Sequence, residues 1–106
     1  MNLTSDLEHV AVLDETMAAR LAEIFRSLSD PSRIRIISVL AEAETNVGTL
    51  AEVVGQSESS VSHHLRGLRQ MRLVRARKEG RQVFYALEDE HIVDLYRRGL
   101  EHLLHG

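Results

Sequence analysis

The sequence contains no cysteine and no tryptophan, and it has a single proline among 106 residues. Without cysteine the chain can form neither a disulfide nor a thiolate metal site, and it has no thiol nucleophile. No apolar run reaches the roughly 18 residues of a membrane-spanning helix. The start of the chain, MNLTSDLEHV, lacks the basic and apolar regions of a signal peptide. We therefore expect a cytoplasmic protein with no membrane partner.

The net charge is −3, but the charges are unevenly distributed. Residues 59–81 carry one acidic side chain, Glu79, and seven basic ones: Arg66, Arg69, Arg72, Arg75, Arg77, Lys78 and Arg81. A basic stretch in an otherwise acidic chain is typical of a surface that binds nucleic acid. A solvated charged face would give the same pattern, so the charges alone do not decide.

The length suits one small domain. We assign residues 1–13 to a mobile N-terminal arm and residues 14–106 to a single domain. TMAARLAEIFRSL has apolar residues at helical spacing. Asp30 before Pro31 predicts the start of a second helix, PSRIRIISVLAEAE, because aspartate caps free amides and proline loses no hydrogen bond at the first helical position. The residues of this helix expected to face inward are Ile34, Ile37, Val39 and Leu40.

Two shorter helices follow and predict a helix-turn-helix. TLAEVVG is a short helix closed by Gly55. SSVSHHLRGLRQMRLV is a second helix, with Ser57 or Ser59 as its N-cap. Its apolar residues recur every three or four positions and mark the buried stripe: Val61, Leu65, Leu68 and Met71.

After Leu73 the apolar period changes to two, which predicts a hairpin in VRARKEGRQVFYAL with Gly80 at its turn. Val74 and Ala76 should lie on one face, and Arg75 and Arg77 on the other. A last helix is expected from about residue 90 to 104. The predicted fold class is therefore mainly α with a β-hairpin wing (α+β), a winged helix-turn-helix.

In this fold the second helix of the motif enters the major groove of DNA with its N-terminal residues. Short hydroxyl side chains allow close approach to base edges, and cations in the helix and the wing suit phosphates. The predicted DNA-binding residues are Gln56, Ser57, Ser59, Ser60, Ser62, His63, Arg66, Arg69, Arg75, Arg77, Lys78 and Arg81. The serines also suit helix caps and turns, and His64 is expected to pack or to face solvent.

The segment VGTLAEVVGQSESSVSHHLRGLRQMRLVRARKEGRQVFYAL and the tail after it resemble the ArsR/SmtB family of metal-sensing bacterial repressors. The resemblance extends from about Met17 to His105. It implies a winged-helix homodimer that binds an operator and is released from it by metal. The family's cysteine site, in a segment of the form LCVGDL, is absent because TNVGTL stands there with Asn46 at the cysteine position. The family's other site, on the C-terminal helix, is matched by Asp89, His91, His102 and His105.

One chain cannot bring these four residues to one ion. His91 and His102 lie roughly 16 Å apart along a helix that rises about 1.5 Å per residue, and Zn–N bonds are only about 2 Å long. Both histidines face the same side, since the distance between them is almost three full turns. An antiparallel copy of the helix would join the Asp89/His91 end of one chain to the His102/His105 end of the other. The homodimer would then hold two sites.

Nitrogen and oxygen donors without thiolate favour Zn²⁺ in a closed tetrahedron, with Co²⁺ or Ni²⁺ as alternatives. A nickel site would need more ligands, for which Asp6 and His9 are the candidates. The apolar face of the same helix, including Leu100 and Leu103, is expected to form much of the dimer interface.

A DNA-binding dimer without metal regulation and an enzyme are two alternatives to a metal sensor. A winged-helix DNA-binding dimer without metal regulation would use the last helix only as a dimer seam. An enzyme is not expected, because the chain has no glycine-rich phosphate loop or nucleophile motif, and a closed site leaves no position for water. We likewise expect no small organic substrate.

Overall fold

The computed structural model describes residues 11–106. Within this range the chain forms five helices and three strands, which confirm the predicted winged helix-turn-helix, mainly α with a β-hairpin wing. In chain order they are α1 (Glu15–Leu28), α2 (Pro31–Leu40), β1 (Thr45–Asn46), α3 (Val47–Val54), α4 (Glu58–Gln70), β2 (Val74–Glu79), β3 (Gln82–Leu87) and α5 (Glu90–His105). None of the helices in this range is long and apolar enough to cross a bilayer.

The helix ends follow the local chemistry of the sequence. The Asp30 carboxylate accepts hydrogen bonds from the backbone N–H groups of Ser32 and Arg33, at 2.7 and 3.2 Å, and Pro31 opens α2. Gly55 ends α3 in the left-handed conformation with φ of 70°, where side chains with a Cβ are disfavoured. Of the two serines proposed as the cap of α4, Ser57 takes the role. These predicted helix ends are confirmed.

The core lies where α2, α3 and α4 meet the start of the wing. Its fully buried side chains are Ile36, Ile37, Leu50, Val61, Leu65, Leu68, Leu73 and Val74. The prediction that Ile34 faces inward is wrong, since Ile34 is 38% exposed while Ile36 is 0% exposed. Residues two apart on a helix point about 200° away from each other, so only one of these two isoleucines can enter the core.

The second helix is also shorter than predicted. It ends at Leu40 rather than continuing to residue 44, and Thr45 and Asn46 form β1. Thr45 pairs with Tyr85 and Asn46 with Phe84, so the backbone here bonds to β3 instead of extending the helix. The sheet has the order β1-β3-β2 and is antiparallel throughout.

The wing is the β2–β3 hairpin, whose last pair is Glu79 with Gln82. Gly80 begins the two-residue turn with φ of 62°, as a tight hairpin requires. Val74 is buried and Ala76 is half-buried, whereas Arg75 and Arg77 are exposed on the other face. The predicted orientation of the hairpin is therefore confirmed.

Two helices border this core without burying any residue fully. In α5, Ile92, Val93 and Tyr96 pack against the core, but the second half of the helix extends its apolar face into solvent, with Leu103 80% exposed. In α1 the exposed apolar residues are Met17, Leu21 and Phe25. The chain described alone thus presents apolar surface on both α1 and α5.

Candidate nucleic-acid interface and metal-ligand helix

The outer face of α4 carries a polar stripe. Ser59, Ser62, Arg66 and Arg69 follow one another at intervals of three or four residues, which places them on one side of the helix. All four are exposed, and exposed His63 lies beside them. Val61, Leu65 and Leu68 point the opposite way into the core. The serines lie at the N-terminal end and the arginines follow, as in a helix that meets base edges first and phosphates further along.

Three other predicted DNA-binding residues use their side chains within the chain. Gln56 Nε2 donates to Ser32 Oγ at 2.8 Å, and Ser60 Oγ donates to Gln56 Oε1 at 3.3 Å. Ser57 Oγ accepts from the backbone N–H of Ser60 at 3.1 Å. The structure therefore separates Gln56, Ser57 and Ser60, which build the turn, from the outward stripe of α4.

The four predicted cations of the wing also differ from one another. Arg75, Lys78 and Arg81 are exposed, and no ion pair within residues 11–106 involves them. Arg77 instead donates from Nε to Glu44 at 3.0 Å and from Nη1 to Glu79 at 2.6 Å, above the ring of Phe84.

These contacts change the electrostatics of Arg77. The hydrogen bond from Arg77 lowers the pKa of Glu44, and the bonds to Glu44 and Glu79 raise the pKa of Arg77 further above its usual value. Two carboxylates thus largely neutralise this guanidinium.

We expect Arg66→Ala and Arg77→Ala to differ in the salt dependence of DNA binding. Each phosphate contact adds about 0.9 to the slope of log K against log salt concentration. Loss of exposed Arg66 should lower the slope by about that amount for each chain on the DNA. Loss of Arg77 should lower it less, because its carboxylate partners already offset its charge. Fluorescence anisotropy over a salt series measures both. An equal reduction for Arg77→Ala would mean that this arginine leaves Glu44 for a phosphate.

The predicted metal ligands begin at the N-terminus of α5. Asp89 Oδ1 accepts from the N–H groups of His91 at 2.9 Å and Ile92 at 3.3 Å, so Asp89 is the N-cap of the helix. The same oxygen lies 3.3 Å from His91 Nδ1. Partial loss of hydration opposes ionisation of Asp89, but the hydrogen bonds from His91 and Ile92 outweigh it and hold the pKa of the carboxyl below its usual value.

The remaining ligands lie far along the same helix. The side chain of His91 is 91% exposed, and His102 and His105 are exposed as well. Among residues 11–106 no three histidine, aspartate or glutamate side chains come close enough to hold one ion. The described chain brings Asp89 to His91 and leaves His102 and His105 as a separate pair near the end of α5. Asp6 and His9, the further nickel candidates, lie outside the described residues.

Asn46 stands where the ArsR/SmtB family, which the sequence resembles, has its cysteine site, and it has a structural role in this chain. The Asn46 side chain accepts from the backbone N–H of Thr49 at 2.8 Å and caps α3. An amide at this position stabilises the helix start, and it offers a metal ion no thiolate.

The comparison with known proteins agrees with this geometry. Residues 30–76 match the family described as "Bacterial regulatory protein, arsR family". Over 92 residues the chain is 48% identical to a protein of Synechocystis sp. named transcriptional repressor SmtB homolog, covering 87% of this chain and 70% of that one. The chain belongs to the ArsR family. Its expected status as a non-enzyme is confirmed, since the family is one of regulatory proteins.

Two further ArsR-family comparisons bear on metals and assembly. A Staphylococcus aureus protein named cadmium resistance transcriptional regulatory protein CadC homolog is 39% identical over 77% of this chain and 69% of its own length. The solution structure of a homodimeric winged helix-turn-helix DNA-binding domain from Mycobacterium bovis, called a possible ArsR-family regulator, superposes with a TM-score of 0.77 at 28% identity. The superposition covers 92% of this chain and 96% of that one.

Sequence reasoning missed two residues that contact α4 and the turn before it. Ser32 bonds to Gln56, and Arg33 Nε donates to His64 Nδ1 at 3.3 Å. Both belong to the predicted start of α2, and the sequence carries no signal for pairs so distant along the chain.

Proposed function

We propose that this ArsR-family protein is a metal-responsive transcriptional repressor. It binds operator DNA as a metal-free homodimer and is released when Zn²⁺ binds. The observation that carries the proposal is α5, which presents two exposed half-sets of N/O donors, Asp89 with His91 and His102 with His105, and cannot unite them within one chain. The names of the similar Synechocystis repressor and Staphylococcus cadmium-resistance regulator support repression and a response to metal.

The exposed apolar surface of one chain supports homodimerisation. The apolar faces of α1 and the second half of α5 are exposed, and a two-fold contact would cover the same patch on both partners. In that arrangement α5 of one protomer runs antiparallel to α5 of its partner. Each Asp89/His91 pair then faces the His102/His105 pair of the other chain. The homodimeric M. bovis domain supports this assembly.

The donor set fits zinc. Asp89, His91, His102 and His105 would supply three imidazole nitrogens and one carboxylate oxygen at each of two sites per dimer, a set typical of four-coordinate Zn²⁺. Asp89 and His91 already lie close together at the start of α5, with His91 Nδ1 3.3 Å from the carboxylate. Co²⁺ and Ni²⁺ are alternative inducers of the same regulator, and a six-ligand ion would recruit Asp6 or His9.

DNA binding uses the outward stripe of α4 and the wing. We assign base and phosphate contacts to Ser59, Ser62, His63, Arg66 and Arg69 in α4. In the wing, Arg75, Lys78 and Arg81 bind the backbone or enter the minor groove. Gln56, Ser57, Ser60 and Arg77 act mainly by holding the elements that carry these contacts. A protein with this role works in the cytoplasm, beside the bacterial chromosome.

Zinc titration into the protein–DNA complex tests the proposal. Zinc must bind the low-affinity conformer better, and by linkage DNA must weaken zinc binding by the same factor, typically about 5- to 150-fold. The probe is a duplex that the metal-free protein selects from a random-sequence pool, and binding is followed by fluorescence anisotropy. The effect should fade in acid, because protons compete with zinc for its ligands. Unchanged affinity at saturating zinc would contradict the sensor function, and a dimer without metal regulation would remain.

A further inference from the structure

The first turn of α2 contacts α4 directly at His64 and, through Gln56 in the preceding turn, at Ser60. Ser32 and Arg33 are consecutive residues, and Asp30 holds both of their backbone N–H groups. Ser32 Oγ accepts from Gln56 Nε2 at 2.8 Å, and Gln56 Oε1 in turn accepts from Ser60 Oγ at 3.3 Å. Arg33 Nε donates to His64 Nδ1 at 3.3 Å. Since Ser60 and His64 are four residues apart, the hydrogen bonds from Ser60 to Gln56 and from Arg33 to His64 lie one turn apart on the same side of α4.

Arg33 also joins a third helix to this cluster. Its Nη1 donates to Ser27 Oγ at 2.8 Å and to the Ser27 carbonyl at 3.4 Å, near the end of α1. Its Nη2 lies against the backbone of α4 at Gly67, where a Cβ would come within 2.6 Å of it. Gly67 therefore leaves the space that the guanidinium fills. One side chain connects α1, which carries exposed apolar surface, to α4.

The hydrogen bond from Arg33 indicates which ring nitrogen of His64 carries the proton. Arginine only donates hydrogen bonds, so Nδ1 of His64 must accept, and the neutral ring carries its proton on Nε2. An imidazolium could not accept this bond. The charged and titratable groups around His64 are Asp30 and Arg33 from the start of α2 and His63 on α4 itself. Glu23 and Arg26 of α1 line the adjoining groove with Arg33.

We propose that Ser32 and Arg33 form a bracket that sets the orientation of α4, so that Gln56 and His64 are positioning residues rather than base contacts. The inference rests on the proposed DNA-binding function and deepens it. Gln56 and His64 point toward α2, on the side away from the stripe of Ser59, Ser62 and Arg66. Loss of either contact lets α4 tilt about the apolar stripe, which misaligns every base contact at once, while the phosphate-binding cations of the wing, Arg75, Lys78 and Arg81, stay in place.

Replacement of each positioning residue tests the bracket on the selected duplex and on a random-sequence duplex. Gln56→Ala and His64→Ala should each weaken binding to the selected duplex by about 3- to 10-fold, as expected for one hydrogen bond, with little change on random DNA. His64→Asn keeps an acceptor near the place of Nδ1 and should restore most of the affinity. Gln70→Ala, an exposed glutamine on the same helix, is the matched control and should behave as wild type.

Base preference separates positioning from direct contact. Loss of a base contact relaxes the preference at one base pair, as expected for His63→Ala, whereas His64→Ala should weaken discrimination across the whole half-site. A single relaxed base pair in Gln56→Ala, or no rescue by His64→Asn, would overturn the bracket.

A readout without DNA keeps this inference separate from the proposed function. The ¹⁵N shifts of the His64 ring in the free protein should show a proton on Nε2 alone at neutral pH, and Arg33→Lys should alter them. A wild type that binds no DNA but shows these shifts would refute the proposed function and leave the bracket standing. A ring protonated on Nδ1 would refute the bracket even if DNA binding is strong.

Discussion

The double replacement His102→Ala/His105→Ala is expected to abolish zinc binding on α5 and the zinc-induced release from DNA. It removes two of the four proposed donors at both sites of the dimer. Structural zinc sites contribute about 10–16 kcal/mol from four ligands, so the loss of two should weaken zinc binding by at least 10³-fold, on the order of several kcal/mol. Both histidines are exposed, so stability and metal-free DNA binding should change little.

Zinc competition against a chromophoric chelator measures this loss, and Co²⁺ absorption reports the ligand number, with intense d–d bands for four ligands and weak ones for six. Glu101→Ala is the matched control, because Glu101 is exposed on the same helix and lies outside the proposed set. It should retain the wild-type affinity. Wild-type zinc stoichiometry in the double variant would show that α5 is not the metal site, and would leave it as a dimer seam.

The parts of the fold that the sequence predicted well depend on neighbours in the chain. Asp30 caps amides two and three residues ahead, and Gly55 ends its own helix, so residue type and position suffice. The buried face of α2 cannot be assigned from the sequence alone. PSRIRIISVL carries isoleucine at 34, 36 and 37, so its periodicity permits more than one inward face. Contact with α3 and α4 selects Ile36 and Ile37. The two residues of β1 have no pattern of their own, and only pairing with β3 makes them a strand.

In the candidate sites, too, local spacing predicts some features, and contacts between residues distant in the chain determine the others. Residue type and position near the start of the helix selected Ser59, Ser62 and Arg66 as DNA contacts. Spacing showed that His91 and His102 share a side yet cannot meet. It could not show that Gln56 and Arg77 already have partners, because Ser32 and Glu44 lie 24 and 33 residues away in the chain. Residue type alone makes a polar side chain on α4 or the wing a candidate for DNA contact. Its hydrogen bonds within the chain decide whether that side chain is free to bind DNA.

Two defective chains are expected to restore one zinc site when they form a mixed dimer. One chain carries Asp89→Asn/His91→Ala, in which asparagine can still cap α5, and the other carries His102→Ala/His105→Ala. In either homodimer both sites lack half of their donors. In the mixed dimer one site loses all four donors, and the other receives Asp89 and His91 from one chain and His102 and His105 from its partner. Two-fold symmetry thus predicts about one zinc per mixed dimer, against about two in the wild type.

Co-expression with two different affinity tags isolates the mixed dimer, and its zinc content and affinity are then measured beside both homodimers. A site built within one chain gives the opposite result, because each chain lacks half of the donors and mixing cannot supply them. Failure to recover zinc would therefore contradict a site shared between protomers. Recovery would tie the sensor to the dimer itself, since the ion would then bridge the two α5 helices that also carry the exposed apolar face.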